Sequence, residues 1–179
     1  MIFRPTALPG VMEILPQPAR DARGAFFRAF CAVEFAAAGH PFQPVQVSFS
    51  ENTHRHTLRG MHWQAPPAAE TKLIRCVRGA VHDVALDLRP SSPTHGQHVA
   101  VVLAAEAGNA ILIPPGCAHG FLTLTDDAVL EYMMDAPHAP SQARGLRWND
   151  PRFAIPWPAA PAVISDRDAN WRDYQDQDG

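Results

Sequence analysis

Cysteine is scarce in this chain: there are three in 179 residues, Cys31, Cys76 and Cys117, with no CxxC pair. Nothing resembles the disulfide framework of a small secreted domain, so the set fits the reducing cytosol. Runs of basic residues are also missing, and 15 Lys and Arg against 18 Asp and Glu leave a formal net charge of −3. A nucleic-acid or anionic-membrane partner has no electrostatic footprint here. No apolar run approaches the length of a membrane span, and Pro5 and Pro9 interrupt the N-terminus before a signal-peptide core could form. A soluble, untargeted, cytoplasmic protein is expected. Long stretches free of Pro and Gly are absent too: 18 prolines and 11 glycines are spread along the chain. That disfavours long helices and favours many strands joined by turns.

What is present is ordinary globular material, 46% hydrophobic and 18% charged. A chain of this size buries roughly 70% of its unfolded surface around one core, so residues 1–179 are read as one domain. Strands are expected at Val45–Ser50, Thr57–Gln64, Lys72–Val77, Val81–Leu88, His98–Leu103, Ala110–Ile113, Gly120–Thr123 and Val129–Met134. Between them lies turn chemistry, in Arg78-Gly79, Arg89-Pro90, Gly108-Asn109 and Pro114-Pro115-Gly116. Val84, Leu86 and Leu88 share one face of their strand, and Asp83, Ala85 and Asp87 the other, a period that implies one buried side. This spacing suggests an all-β sandwich or barrel. One short helix, Val33–Ala38, ends at Gly39. The acidic tail Asp173–Gly179 is expected to fray.

Gly108, followed by Pro114-Pro115-Gly116-Cys117-Ala118-His119, resembles the second motif of the cupin superfamily, double-stranded β-helices of jelly-roll type. The stretch matching the first motif reads His62-Trp63-Gln64, then Lys72, then Gly79. Gln64 stands where a second histidine would bind a metal, and Lys72 stands where the carboxylate would. An ammonium has no lone pair to give and puts its own charge in the metal's place. The resemblance is to a cupin-type jelly-roll β-sandwich with a few short helices and without its metal. His54-Arg55-His56 has a metal-binding look but no carboxylate at cupin spacing, and is read as an exposed turn.

Seven ordered segments narrow the resemblance: Asp21-Ala22-Arg23-Gly24-Ala25-Phe26-Phe27, Leu58-Arg59-Gly60-Met61-His62-Trp63-Gln64, Lys72-Leu73-Ile74-Arg75-Cys76, Ser92-Pro93-Thr94-His95-Gly96, Ala118-His119-Gly120-Phe121, Trp148-Asn149-Asp150 and Ser165-Asp166-Arg167-Asp168. Together they resemble the dTDP-4-dehydrorhamnose 3,5-epimerase family. The resemblance implies an isomerase that inverts C3, C5 or both in a nucleotide-diphosphate-linked 4-keto-6-deoxy sugar, in rhamnose-type deoxysugar or surface-polysaccharide biosynthesis. It implies no cofactor and no metal. A hydrogen beside a ketone is acidic only because the carbanion becomes an enolate, so the site needs a base, a cation near the oxygen and an acid on the opposite face.

By resemblance, His62 is the base, Asp168 orients and charges it, and Tyr132 is the acid. Lys72 and His119 fall near the oxyanion, and Arg23, Phe26, Gln46 and Arg59 hold the nucleotide diphosphate. His138 stands in the substrate pocket where a second tyrosine is usual, Arg28 where a glutamate is common, and Ser48 where an asparagine is. A homodimer is implied, with N-terminal segments exchanged, so that Arg23 and Phe26 could serve the neighbouring subunit. Read apart from the family, His62 also fits a structural histidine, Tyr132 a packed strand aromatic beside Leu130 and Met134, and Asp168 a turn residue. Strict alternation puts Arg59 and His62 on opposite faces, unless Gly60 marks a bulge. A ketoisomerase, a noncatalytic sugar-nucleotide-binding module and a metal-dependent cupin oxygenase are the rival readings. The module is disfavoured by the presence of all three catalytic residues, and the oxygenase by Gln64 and Lys72.

Overall fold

The computed structural model describes residues 1–175. Its elements in chain order are β1 (Ile2–Pro5), β2 (Met12–Leu15), β3 (Ala19–Asp21), β4 (Gly24–Phe26), α1 (Ala32–Ala37), β5 (Gln46–Asn52), β6 (Thr57–Gln64), β7 (Lys72–Arg78), β8 (Ala80–Asp87), β9 (His98–Ala104), β10 (Ala110–Ile113), β11 (Cys117–Thr123), β12 (Ala128–Met134), β13 (Ala143–Gly145), β14 (Val163–Ile164) and α2 (Asp166–Ala169). One sheet runs β1-β2-β10-β7-β12-β5, and the other β13-β6-β11-β8-β9, with β14 joining β6 in parallel. The two form a jelly-roll sandwich, and β3 and β4 make a separate hairpin.

The expected strands β6 and β10 appear with the bounds read from the chain, and most of the others differ by a residue or two. β11 begins earlier than expected, at Cys117, because Gly116 (φ +81°) completes the turn directly before it. The short elements β1–β4, β13, β14 and α2 had no alternation from which to read them.

Alternation sorts side chains into layers. Ile74 and Cys76 of β7, Ile111 of β10 and Leu130 of β12 meet Val81 and Ala85 of β8, Leu103 of β9 and Phe121 of β11 between the sheets. The outer face of the first sheet is covered by Phe35 of α1 and by Phe42, which pack on Ile14, Leu73 and Leu112. Leu146, Phe153, Ile155 and Tyr174 cover the other sheet, on Met61, Val84, Leu86 and Leu88.

This double covering corrects two expectations. β8 does not have one wet side: Asp83 and Asp87 are fully buried, because their face points into the sandwich while the C-terminal segment covers the opposite one. Nor does the tail fray from Asp173, which pairs with Arg147 at 2.7 Å, while Tyr174 is buried; residues 176–179 of that expected segment lie outside the described residues. His54 and Arg55 are exposed in the turn before β6, as expected. No helix among the described residues is long and apolar enough to cross a membrane.

Candidate active site

The site is built on a fault in β6. His62 lies opposite His119 of β11, yet Arg59 lies opposite Phe121, so three steps along β6 match two along β11. The extra residue is a bulge, centred on Gly60 (φ +128°), where a Cβ would come 2.5 Å from the Gly120 Cα and 2.9 Å from the His119 carbonyl oxygen. Only glycine fits that conformation and that approach. The bulge reverses the parity of the strand, so Arg59 and His62 both face the interior and line one cavity of about 480 Å³. An adjoining cavity of about 230 Å³ shares His62, Lys72, Tyr132 and His138 with it. The larger volume by itself suits a small-molecule ligand.

Both sheets contribute. His62 and His119 come from β6 and β11, Lys72 and Tyr132 from β7 and β12 of the facing sheet. His62 Nε2 lies 2.6 Å from Asp168 Oδ1, with the histidine 42% exposed and the carboxylate 6%. Asp168 is held in turn: Ser165 caps α2 by accepting from the Asp168 N–H, and the carboxylate accepts from the Gly60 N–H at 3.2 Å and from Trp171 Nε1 at 3.3 Å. Burial alone would raise the Asp168 pKa, but the hydrogen bond and charge of His62, with the two further donors, outweigh it and hold it below the usual carboxylate range. The Tyr132 phenol is driven the other way, well above its ordinary value, chiefly by burial and secondarily by the Asp83 carboxylate. It stays protonated at neutral pH.

His119 is buried, edge-on to the Tyr132 ring at 5.7 Å, and its Nε2 lies 2.8 Å from Asp83 Oδ2. Lys72 Nζ meets Glu70 Oε1 at 2.9 Å, both side chains nearly buried. Gln64, at the position a cupin metal ligand would take, has its amide spent on protein groups: Oε1 accepts from the Ala139 N–H at 2.6 Å, and Nε2 reaches Glu70 Oε2 at 2.9 Å. Gln46 accepts from the His138 N–H at 3.0 Å and lines the smaller cavity with it. Ser48 faces the larger cavity, and Arg28 pairs with Glu34 away from it.

The structure therefore brings His62, Tyr132, Asp168, Gln46, Arg59, Lys72, His119 and His138 together. It does not bring Arg23 and Phe26. Both sit on the β3–β4 hairpin, where Arg23 pairs with its neighbour Asp21 at 2.6 Å and Phe26 is 82% exposed, in a groove that contains, among the described residues, no other expected site residue. Three charged residues that line the smaller cavity, Glu70, Arg144 and Arg167, were not among the expected site residues, nor was the buried Asp83, which meets the cavity-lining His119. Asp83 looked like the wet face of a strand, and Glu70 and Arg144 stand in loop or edge segments without periodicity. Arg167 lies beside Asp168 in a quoted motif, which was the available signal.

This jelly-roll sandwich, with a histidine–carboxylate pair and a protonated phenol in one pocket, belongs to the cupin-type isomerases. The chain belongs to the dTDP-4-dehydrorhamnose 3,5-epimerase family, whose model matches residues 5–176. The dTDP-4-dehydrorhamnose 3,5-epimerase of Shigella flexneri is 40% identical over 174 residues, spanning 97% of this chain and 96% of that one. The crystal structure of the dTDP-4-dehydrorhamnose 3,5-epimerase from Elizabethkingia anophelis NUHP1 matches with a TM-score of 0.95 at 31% identity, covering 100% of this chain and 99% of that one. A 3'-monoepimerase from Streptomyces bikiniensis, solved in complex with dTDP-quinovose, matches with a TM-score of 0.88 at 36% identity, covering 94% and 86%.

Proposed function

We propose that this protein inverts one or both carbon centres flanking the ketone of a dTDP-linked 4-keto-6-deoxyhexose, in the biosynthesis of a rhamnose-type deoxysugar. The observation that carries the reading is the His62–Asp168 pair, 2.6 Å apart, sharing a pocket with a phenol that burial keeps protonated. With Nε2–H donated to the Asp168 carboxylate, the lone pair of His62 is left on Nδ1, free to take the proton beside the ketone. Asp168 stabilises the imidazolium that results. Lys72 and His119 stabilise the enolate oxygen, and Tyr132, from the facing sheet, returns a proton to the other face of the carbon. A phenol of raised pKa gives up its proton only to a strong base, and an enolate carbon is one.

Gln46, Arg59 and His138 line the cavities; we assign Gln46 and Arg59 to the nucleotide diphosphate and His138, which shares both cavities with His62 and Tyr132, to the sugar. Arg23 and Phe26 reach no part of their own chain's pocket, which favours a homodimer in which each hairpin completes the partner's site. We read residues 1–179 as one cytoplasmic domain that works without metal or cofactor.

Incubation with dTDP-4-keto-6-deoxyglucose in deuterated water, followed by NMR, tests the reading. Deuterium should enter at C3, C5 or both, and the reduced product should carry the inverted configuration. A product in which the carbonyl had moved to the adjacent carbon would replace epimerisation with ketoisomerisation. Binding without exchange would reduce the protein to a sugar-nucleotide-binding module.

A further inference from the structure

We propose that Glu70 is a positioning residue for this reaction: its buried carboxylate seats the Lys72 ammonium in the pocket and ties it, through Gln64, to the loop that carries His138. The inference rests on the reading of Lys72 as the cation for the enolate oxygen. Lys72 is the first residue of β7, paired with Ile113 and Met134 on its neighbours and directed into the sandwich. A lysine side chain has four flexible carbons and three donors without fixed direction, so nothing in its own chemistry aims it. Glu70 does: Oε1 holds Nζ at 2.9 Å with the two side chains only 8% and 13% exposed.

The second carboxylate oxygen is held as well. Gln64 Nε2 lies 2.9 Å from Glu70 Oε2 and 3.3 Å from the Pro137 carbonyl, while its Oε1 accepts from the Ala139 N–H at 2.6 Å. The N–H of Thr71, between Glu70 and Lys72, donates to Asp135 Oδ1 at 2.7 Å. The segment 135–139 is thus fastened on both sides of His138 to the segment that aims Lys72. An unpaired carboxylate lining this cavity would oppose a developing enolate. The buried pairing of Glu70 with Lys72 makes sense as a mount that leaves the remaining ammonium protons for the substrate.

The test measures deuterium exchange and inversion in Glu70→Gln, Lys72→Met and the double variant, with kcat and KM separated and thermal stability recorded for each. Lys72→Met should lower kcat by about 10²–10³-fold, as loss of an oxyanion donor does. Glu70→Gln preserves the shape and an acceptor for Gln64. It should lower kcat by about 10–100-fold with KM changed far less, because the cation is displaced rather than the ligand released. The double variant should be no slower than Lys72→Met alone, since a residue that acts through Lys72 has nothing left to act on. Glu70→Asp, which keeps the charge but shortens the reach, should fall between parent and Glu70→Gln. Parental kcat in Glu70→Gln, or losses that multiply in the double variant, would overturn the inference while leaving Lys72 in its role. Parental exchange in Lys72→Met would overturn both.

Discussion

Replacing Tyr132 by phenylalanine separates two events that unfolding would abolish together. The change deletes one oxygen. It keeps the ring that packs against the inter-sheet core and stands edge-on to His119 at 5.7 Å. The folding cost of a lost hydroxyl is about 1 kcal/mol, a shift in Tm of a few degrees for a chain of this size. Loss of a general acid, by contrast, costs about 10²–10⁴-fold in rate, or about 2.7–5.5 kcal/mol of barrier. His62 and its Asp168 partner, 2.6 Å apart, are untouched by the change. They can still take the proton, exchange it with solvent and return it to the same face. In deuterated water the sugar should therefore gain deuterium at the reacting carbon while its configuration stays unchanged, and His62→Ala should show neither exchange nor inversion. NMR reads the isotope at C3 and C5, and reduction followed by product identification reads the stereochemistry. Inversion by Tyr132→Phe at a near-parental rate, or exchange by His62→Ala, would show that the two roles are misassigned.

Gly60→Ala should be severe for a residue so small, since the new Cβ meets Gly120 and the His119 carbonyl at 2.5 and 2.9 Å in a backbone conformation that side chains avoid. Strain and overpacking together should cost about 2–6 kcal/mol, and an unchanged Tm would contradict the bulge as described. Asp87, fully buried, accepts from Arg89, Ser92 and Thr94, and although burial pushes its pKa up, these donors pull it well below the carboxylate range. Its folded pKa is depressed, so its stabilisation is complete above the unfolded value of about 3.9 and is lost as pH falls through the folded one. Asp87→Asn should accordingly cost about 3–5 kcal/mol near pH 7, a gap that denaturation curves should find narrowing below pH 4. A gap that widened in acid would reverse the assignment. Chelators should leave turnover unchanged, because the amide of Gln64 and the ammonium of Lys72 stand at two ligand positions; stoichiometric metal whose removal abolished exchange would overturn this.

What the sequence determined by itself is local. Period-two alternation marked the strands of the sandwich, and Gly and Pro marked the turns between them, because strand pleat and turn conformation are set by neighbours a few residues apart. Ordered motifs carried His62 and Asp168, while Tyr132 lies outside those segments and was named only through the family resemblance. Even the conflict between Arg59 and His62 could be seen there, and Gly60 pointed to its resolution. Tertiary structure decided the rest. Whether Asp83 and Asp87 met water depended on which segments covered β8, and one of those segments lies about as far along the chain as residue 174. Asp168 reaches His62 across 106 residues, and Glu70 becomes a mount for Lys72 only because Gln64 and the loop at 135–139 close over it. Arg23 and Phe26 matched the motif as well as any residue, yet their hairpin stands outside the pocket. Residue type limits the chemistry that a side chain can perform, but its burial, its partner and its distance from the reacting atom are set by segments far away in the chain.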